Sequence, residues 1–174
     1  MPYDPARHHR RSLRLKGYDY TQPGAYFVTI CVYQRQHLFG NIEDGVVVLS
    51  LYGQEVARCW RALPRFFPSI TLDEYVVMPD HLHGIIVIQR AQRTAGASAG
   101  EGDGVWRGTT PSSLSAILQN FKSISTRRIN PLRAAPGAPL WQRDFYEHII
   151  RDSEALERVR AHIVANPASW RAKR

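Results

Sequence analysis

The sequence has few of the features that mark secreted or membrane proteins. Only two cysteines, Cys31 and Cys59, occur among 174 residues, which excludes a disulfide-stabilised scaffold. No apolar run approaches the roughly 18 residues that a membrane-spanning helix needs. The polar N-terminus, MPYDPARHHRR, has no apolar signal core behind it. We therefore expect a cytoplasmic protein without a membrane partner, and the length indicates a single domain.

Lysine and acidic residues are also scarce. Only three of the 23 basic residues are lysines, and 15 Asp and Glu leave a formal net charge of +8. No acid occurs between Gly104 and Arg143. Because arginine forms paired hydrogen bonds with phosphate and stacks on bases, we predict a nucleic-acid partner rather than merely a solvated basic face. The candidate DNA-binding residues are Arg10, Arg11 and Arg14 near the N-terminus, and Lys122, Arg127, Arg128 and Arg143 in the acid-free stretch.

Composition divides the chain into a basic N-terminal arm (residues 1–22), a single domain (23–170) and a basic tail (171–174). Within the domain, Gly, Ala, Ser and Thr dominate residues 89–110, which predicts a flexible insertion. The apolar patterns that define the domain continue beyond this insertion. We therefore expect it to interrupt one domain and not to separate two.

Apolar periodicity predicts an alternation of strands and helices. Runs of β-branched and aromatic residues predict strands at 25–33, 70–78 and 81–88, and helical spacing predicts helices at 51–67, about 110–130 and 153–165. Pro64, Pro68, Pro131 and Pro167 are expected to end these helices. The cluster GNIEDG (40–45) predicts a turn before a short apolar run, and residues 140–150 a short strand or packed loop. This order indicates an α+β, ferredoxin-like sandwich with helices packed on a central antiparallel sheet.

Two histidines separated by one residue are the strongest local feature. Alternate residues of a strand project to one face, so His81 and His83 should stand side by side while Leu82 points to the core. Such a pair forms half of a divalent-metal site, and Asp80 could orient His81 as a hydrogen-bond acceptor. Two surface histidines at this spacing also occur by chance, and Asp80 equally suits the hairpin turn.

Several longer motifs follow one another in an order that resembles the REP-associated tyrosine transposases of the HUH single-tyrosine superfamily. They are GAYFVTICVYQRQHLFG (24–40), VVMPDHLHGIIVI (76–88), SLSAILQNFKSISTRRIN (113–130), LWQRDFYEHIIRD (140–152) and ERVRAHIVANPASW (157–170). The resemblance implies a ferredoxin-like fold and a divalent ion, Mg²⁺ or Mn²⁺, held by His81, His83 and a polar residue matching Asn166. It also implies that the partner is single-stranded DNA beside a hairpin, such as a REP-like repeat. Whether the protein forms a homodimer is not decided by the resemblance.

The resemblance also implies a reaction, DNA transposition through strand cleavage and rejoining. In the family, a tyrosine on the last helix attacks a phosphodiester, giving a 5′-phosphotyrosine and a free 3′-OH. Here the motif Y-I-x-N-N-P reads H-I-V-A-N-P, so His162 stands at the tyrosine position, while Asn166 is kept four residues further on. Helical spacing puts both residues on one face.

Three interpretations of this substitution are open. His162 itself acts as a nucleophile or as a base for water; Tyr146 replaces the missing tyrosine; or the chain binds hairpin DNA without cleaving it. His162 could also serve as an additional metal ligand. Enzymatic activity is therefore undecided from the sequence, and two imidazoles would accept Mn²⁺ or Zn²⁺ more readily than Mg²⁺.

Overall fold

The structure is a computed structural model that describes residues 18–89 and 112–170. Several predictions lie outside these residues: the DNA contacts of Arg10, Arg11 and Arg14, nearly all of the insertion at 89–110, and the basic tail at 171–174. No helix in the described residues is both long and apolar enough to cross a membrane.

Strands and helices alternate along the described residues. The strands are β1 (Gly24–Cys31), β2 (Gly40–Glu43), β3 (Val46–Leu49), β4 (Ile70–Met78), β5 (His81–Ile88) and β6 (Tyr146–Ile150). The helices are α1 (Leu51–Arg61), α2 (Leu63–Phe66), α3 (Leu114–Leu132) and α4 (Ser153–Ser169), and a 3-10 turn covers Tyr33–Arg35.

The main sheet is antiparallel, with the strand order β4-β5-β1-β6. Helix α1 connects β1 to β4 by way of the β2–β3 hairpin, and α3 connects β5 to β6. This is the connectivity of a ferredoxin-like sandwich, so the predicted fold class is confirmed. Strands β4 and β5 form the expected hairpin, and β1 is a central strand, as its two apolar faces predicted.

The two faces of the sheet carry different layers. On one face, Tyr26, Val28 and Ile30 of β1 belong to the large core that α1 and α3 complete. On the other face, Phe27 of β1 packs in a smaller apolar cluster with Ile163 of α4. The single helix α4 therefore covers the sheet face on which odd-numbered residues of β1 and β5 project.

Prolines end the helices less sharply than predicted. Helix α1 ends at Arg61, and Pro64 lies in the first turn of the short helix α2. Pro131 and Pro167 lie inside the last turns of α3 and α4, so the expectation that they end these helices was wrong. Proline costs most in a helix interior, where it removes a hydrogen bond and clashes with the preceding turn. Near a helix end this penalty is tolerated.

Three boundaries differ from the predictions. The expected turn at residues 40–45 forms β2 and the turn of the β2–β3 hairpin, where Asp44 and Gly45 both have positive φ, 48° and 77°. Such a pair fits the two-residue hairpin turn whose twist matches the flanking strands. Helix α3 begins after its N-cap Ser113, later than residue 110. The end of the predicted arm is ordered, because Tyr18 and Tyr20 pack around Tyr26.

Candidate functional site

The imidazoles of His81 and His83 meet on the face of β5 that α4 covers. Their Nε2 atoms are 3.0 Å apart, and the two residues are 5% and 9% exposed. Leu82, between them, is fully buried in the opposite core. Strand alternation therefore brings two imidazole nitrogens together on one face and turns the residue between them to the other face.

Each imidazole is held at its other nitrogen. Asp80 Oδ1 is 2.5 Å from His81 Nδ1, and Thr29 Oγ1 is 2.8 Å from His83 Nδ1. A carboxylate only accepts, so His81 donates from Nδ1 and its Nε2 carries the lone pair. When His83 likewise donates to Thr29, both Nε2 lone pairs face each other. Two nitrogens about 2.1 Å from one ion at a right angle lie about 3 Å apart, so the pair fits a shared cation.

The charge states at the pair also suit a cation. Burial, reinforced by the neighbouring imidazoles of His81 and His162, lowers the pKa of His83 to about 3. Burial opposes ionisation of Asp80, but the hydrogen bond with His81 and the charge of Arg35 keep the pKa of that carboxyl below its usual value. At neutral pH the site thus contains a neutral His83 imidazole and an ionised Asp80 carboxylate, which are the protonation states that metal binding requires.

Asn166 of α4 supplies an oxygen nearby. It lines a cavity of about 300 Å³ together with Asp80 and His81. Its Oδ1 atom is buried and has no hydrogen-bond partner. An unpaired buried amide oxygen is costly unless something binds it, and amide oxygens suit Mg²⁺ and Mn²⁺. The residues present therefore fit a divalent ion with mixed nitrogen and oxygen ligands.

The neighbouring histidine, His162, lies beside this ligand set. Within residues 18–89 and 112–170, no group of three or more His, Cys, Asp and Glu side chains is arranged to hold a metal ion. His162 thus does not complete such a group in this arrangement, and its role as an additional ligand stays a prediction. His162 is exposed. The centroid of its ring lies 5.5 Å from the ring centroid of His83 and 6.0 Å from that of Phe27. It faces the pair from the edge of the cluster.

Helix α4 is anchored in this position by two contacts. Ile163, the residue after His162, is fully buried against the sheet. Arg160 forms a bidentate ion pair with Asp73 of β4, with Nε–Oδ1 and Nη2–Oδ2 distances of 2.9 and 2.6 Å. These contacts hold the helix face that carries His162 and Asn166 over the end of β5.

Tyr146, the other candidate nucleophile, lies on the same sheet face but farther from the histidine pair. It begins β6 opposite Thr29, and Thr29 in turn lies opposite His83 on β5. Two strand spacings separate the backbones of Tyr146 and His83 by about 10 Å. The tyrosine is 44% exposed, and its ring centroid is 6.4 Å from that of Phe27.

The predicted DNA-binding residues divide into two groups. Lys122 donates to the backbone carbonyls of Gln142, Arg143 and Asp144 at 2.9–3.1 Å, and Arg128 pairs with Glu55 at 3.0 Å. These contacts give Lys122 and Arg128 structural roles. Arg127 and Arg143 are exposed, and with Lys122 they line a groove of about 380 Å³ between α3 and the segment before β6.

Sequence reasoning missed Arg35, His37 and Trp170, which line the cavity beside Asn166. Arg35 Nε lies 3.2 Å from Asp80 Oδ2, and the ring centroids of His37 and Trp170 are 5.2 Å apart. Arg35 and His37 lie in the quoted motif at 24–40, and Trp170 ends the quoted motif at 157–170, so their places in these motifs were the available signal.

Comparison with known proteins finds a sequence relative and several structural neighbours. An uncharacterized protein of Haemophilus influenzae is 36% identical over 170 residues, covering 97% of this chain and 93% of the relative. No family model matches the chain. The structure of a REP-associated tyrosine transposase bound to a REP hairpin is similar with a TM-score of 0.59 and 20% identity, over 88% of this chain and 72% of the other.

The second structural neighbour is a protein from Deinococcus radiodurans described as a candidate transposase. It has a TM-score of 0.50 and 14% identity, over 87% of this chain and 95% of the other. At these identities both neighbours establish a shared fold.

Proposed function

This chain belongs to the same family as the uncharacterized Haemophilus influenzae protein, and we propose that it is a transposase-like protein that binds single-stranded DNA beside a hairpin. The observation that supports the proposal is the contact between His81 and His83, with Asn166 lining the same cavity as His81 and with the His162 ring beside His83. Strand β5 supplies the histidine pair and helix α4 the other two residues. The structural neighbour bound to a REP hairpin makes a REP-like repeat the natural ligand to test.

In this proposal the histidine pair and Asn166 hold a divalent ion, Mg²⁺ or Mn²⁺. When bound, such an ion polarises a phosphodiester and offsets the charge that develops on it. The protein's own contribution is orientation. Asp80 and Thr29 hold the two rings at their Nδ1 atoms, and Asn166 of α4 contributes a buried Oδ1 that has no hydrogen-bond partner.

The substitution at position 162 favours binding over stable cleavage. An imidazole that attacked phosphorus would form a phosphorus–nitrogen bond, which hydrolyses easily. The ring is also shorter than a tyrosine side chain. We therefore propose a hairpin-binding protein whose tyrosine nucleophile is absent, with metal-dependent strand cleavage and rejoining as the second candidate function. Tyr146 stays a candidate nucleophile for that second function.

A basic groove lies on the α3 side of the domain, near the end of the sheet that carries the histidine pair. Gln142, in the groove wall, donates its backbone N–H to the carbonyl of Cys31 at 2.8 Å. Cys31 lies opposite His81 in the sheet, so the groove opens at the end of the sheet that carries the candidate metal site. Arg127 and Arg143 are the residues that we expect to contact phosphates there.

One substitution tests the proposal directly. The wild-type protein, His162→Tyr and His162→Phe are incubated with Mn²⁺ and a DNA hairpin that carries a single-stranded 5′ extension. We expect all three to bind, and only His162→Tyr to form a covalent adduct that survives denaturing electrophoresis. In that adduct the phenol oxygen bonds to phosphorus, the bond to the 3′ oxygen breaks, and that oxygen takes a proton. The phenylalanine variant is the matched control, because it fills the same space without a hydroxyl.

Other outcomes would change the assignment. Equal affinity for the hairpin and for a blunt duplex of the same length would contradict hairpin recognition. A wild-type adduct that persists in His162→Ala and disappears in Tyr146→Phe would identify Tyr146 as the nucleophile, and loss in His162→Ala alone would identify His162. Size-exclusion chromatography with light scattering would decide whether the protein forms a homodimer.

A further inference from the structure

A strained turn beside the candidate metal site brings an arginine to it. Gln34 and Arg35, consecutive residues of the 3-10 turn after β1, both have a φ of 55°. This left-handed region disfavours residues with a Cβ atom, and strained backbone of this kind concentrates at functional sites. The turn therefore holds an unfavourable backbone conformation directly beside the cavity that Asn166 and His81 line.

The result of this conformation is a continuous chain of polar contacts. Arg35 Nε lies 3.2 Å from Asp80 Oδ2, and the other carboxylate oxygen, Oδ1, lies 2.5 Å from His81 Nδ1. Arg35 Nη1 donates to Cys31 Sγ at 2.9 Å, which fixes the guanidinium from its other side. The Asp80 side chain is 8% exposed and the Arg35 side chain 44%. Each oxygen of the buried carboxylate thus has its own partner.

The turn that carries Asp80 has contacts besides the Arg35 side chain. Backbone hydrogen bonds already hold the turn between β4 and β5 in place, from Val32 N to Asp80 O at 2.9 Å and from Phe39 N to Pro79 O at 3.0 Å. The additional side-chain contact determines the orientation of the Asp80 carboxylate instead. That orientation sets the direction of the His81 ring.

We propose that Arg35 is a positioning residue for the candidate metal site, acting through Asp80 on His81. By holding Oδ2, it keeps Oδ1 aimed at His81 Nδ1, and this keeps the His81 Nε2 lone pair aimed at the point shared with His83. The inference rests on the proposed divalent-ion site. It adds to that site a residue that would not contact the ion.

Manganese affinity separates this role from a simple effect of charge. Arg35 carries a positive charge near the proposed cation, so removing it should strengthen Mn²⁺ binding if charge alone matters. A positioning role predicts instead that removing Arg35 weakens Mn²⁺ binding. Partners that orient metal ligands typically change affinity by about 10–100-fold. We expect a loss within this range for Asp80→Asn and a smaller loss, roughly 3–10-fold, for Arg35→Gln.

The experiment measures Mn²⁺ dissociation constants by electron paramagnetic resonance on the full chain. It compares the wild type, Arg35→Gln, Arg35→Lys, Asp80→Asn and the double variant Arg35→Gln/Asp80→Asn. Arg35→Lys should recover part of the affinity, because an ammonium group can still donate to Asp80. In the Asp80→Asn background, Arg35→Gln should have no further effect, since the two residues act in series. Arg158→Gln removes an exposed arginine of α4 and is the matched control.

Failure of the inference and failure of the proposed function give different results. If the wild type binds Mn²⁺ and Arg35→Gln binds it equally well or more tightly, the positioning role is refuted and the metal site stands. If the wild type does not bind Mn²⁺, the proposed metal site and the inference fall together. Urea unfolding of each variant checks folding. Should Arg35→Gln fail to fold, Asp80→Asn still decides, because an unchanged Mn²⁺ affinity in Asp80→Asn would contradict a relay that passes through this carboxylate.

Discussion

Acidification should destabilise the protein through the buried imidazole of His83. Burial and the adjacent imidazoles lower the pKa of this side chain from 6.5 to about 3 in the folded protein. In the unfolded chain the same imidazole takes up a proton near pH 6.5. Between these two values the unfolded state binds more protons than the folded state. Stability contributed by the neutral imidazole is therefore present above pH 6.5 and decreases as the pH falls toward 3.

The size of the effect follows from the two pKa values. The full difference corresponds to about 5 kcal/mol of unfolding free energy, reached only near pH 3. At pH 5.0 the loss relative to pH 7.5 amounts to about 2 kcal/mol. His83 is only 9% exposed in the folded protein, so solvent offers little compensation for protonating it there.

The assay is urea unfolding in EDTA at several pH values for the wild type and His83→Gln. Other groups titrate in both proteins, so the difference between their pH profiles isolates His83. We expect the wild type to lose about 2 kcal/mol more than the variant between pH 7.5 and 5.0. His148→Gln, the same substitution at an exposed position of β6, is the matched control. Parallel profiles for wild type and His83→Gln would refute the reasoning.

Three further predictions concern packing and DNA binding. Gly84→Ala should cost about 1–3 kcal/mol in urea unfolding, because a Cβ there would lie 2.4 Å from Trp60 Cζ2, whereas Gly24→Ala should cost far less. Ile163→Ala should cost about 2–5 kcal/mol and Ile163→Val about 0.5–1.5, since the side chain is fully buried under α4; equal effects would mean that α4 does not depend on this contact. When Arg127 and Arg143 are both replaced by Gln, the slope of log affinity for single-stranded DNA against log salt concentration should become shallower by about 1.4. Each lost phosphate contact accounts for about 0.7 of this change. An unchanged slope in fluorescence anisotropy would place the DNA elsewhere.

Strand alternation and apolar spacing were enough to predict most of the sheet and its main helices. The alternation in β1 identified a strand with two apolar faces, and its central place in the sheet follows from that. The errors lie at boundaries. Asp44-Gly45 is a strong hairpin signal, but the strand before it is only four residues long. A proline in the middle of a helix ends or kinks it, but the last turn of a helix accommodates one, as at Pro131 and Pro167.

The site was predictable only in part, for a physical reason. The spacing of His81 and His83 alone placed them side by side on one strand face, and the family motif pointed to Asn166 and His162 on α4. The roles of basic residues depend on tertiary neighbours that charge does not reveal. Lys122 binds backbone carbonyls, although its position in an acid-free stretch suggested a phosphate contact. Arg35 lies 45 residues before the carboxylate that it holds, and no local pattern joins the two.

The most direct test of the account is the position of a bound ion. Crystals grown with Mn²⁺ and measured at the manganese absorption edge should show one strong anomalous peak between His81 Nε2 and His83 Nε2, within about 2.3 Å of both, with Asn166 Oδ1 facing it. At saturating Mn²⁺, the absence of a peak there, or a peak that contacts neither imidazole, would contradict the account.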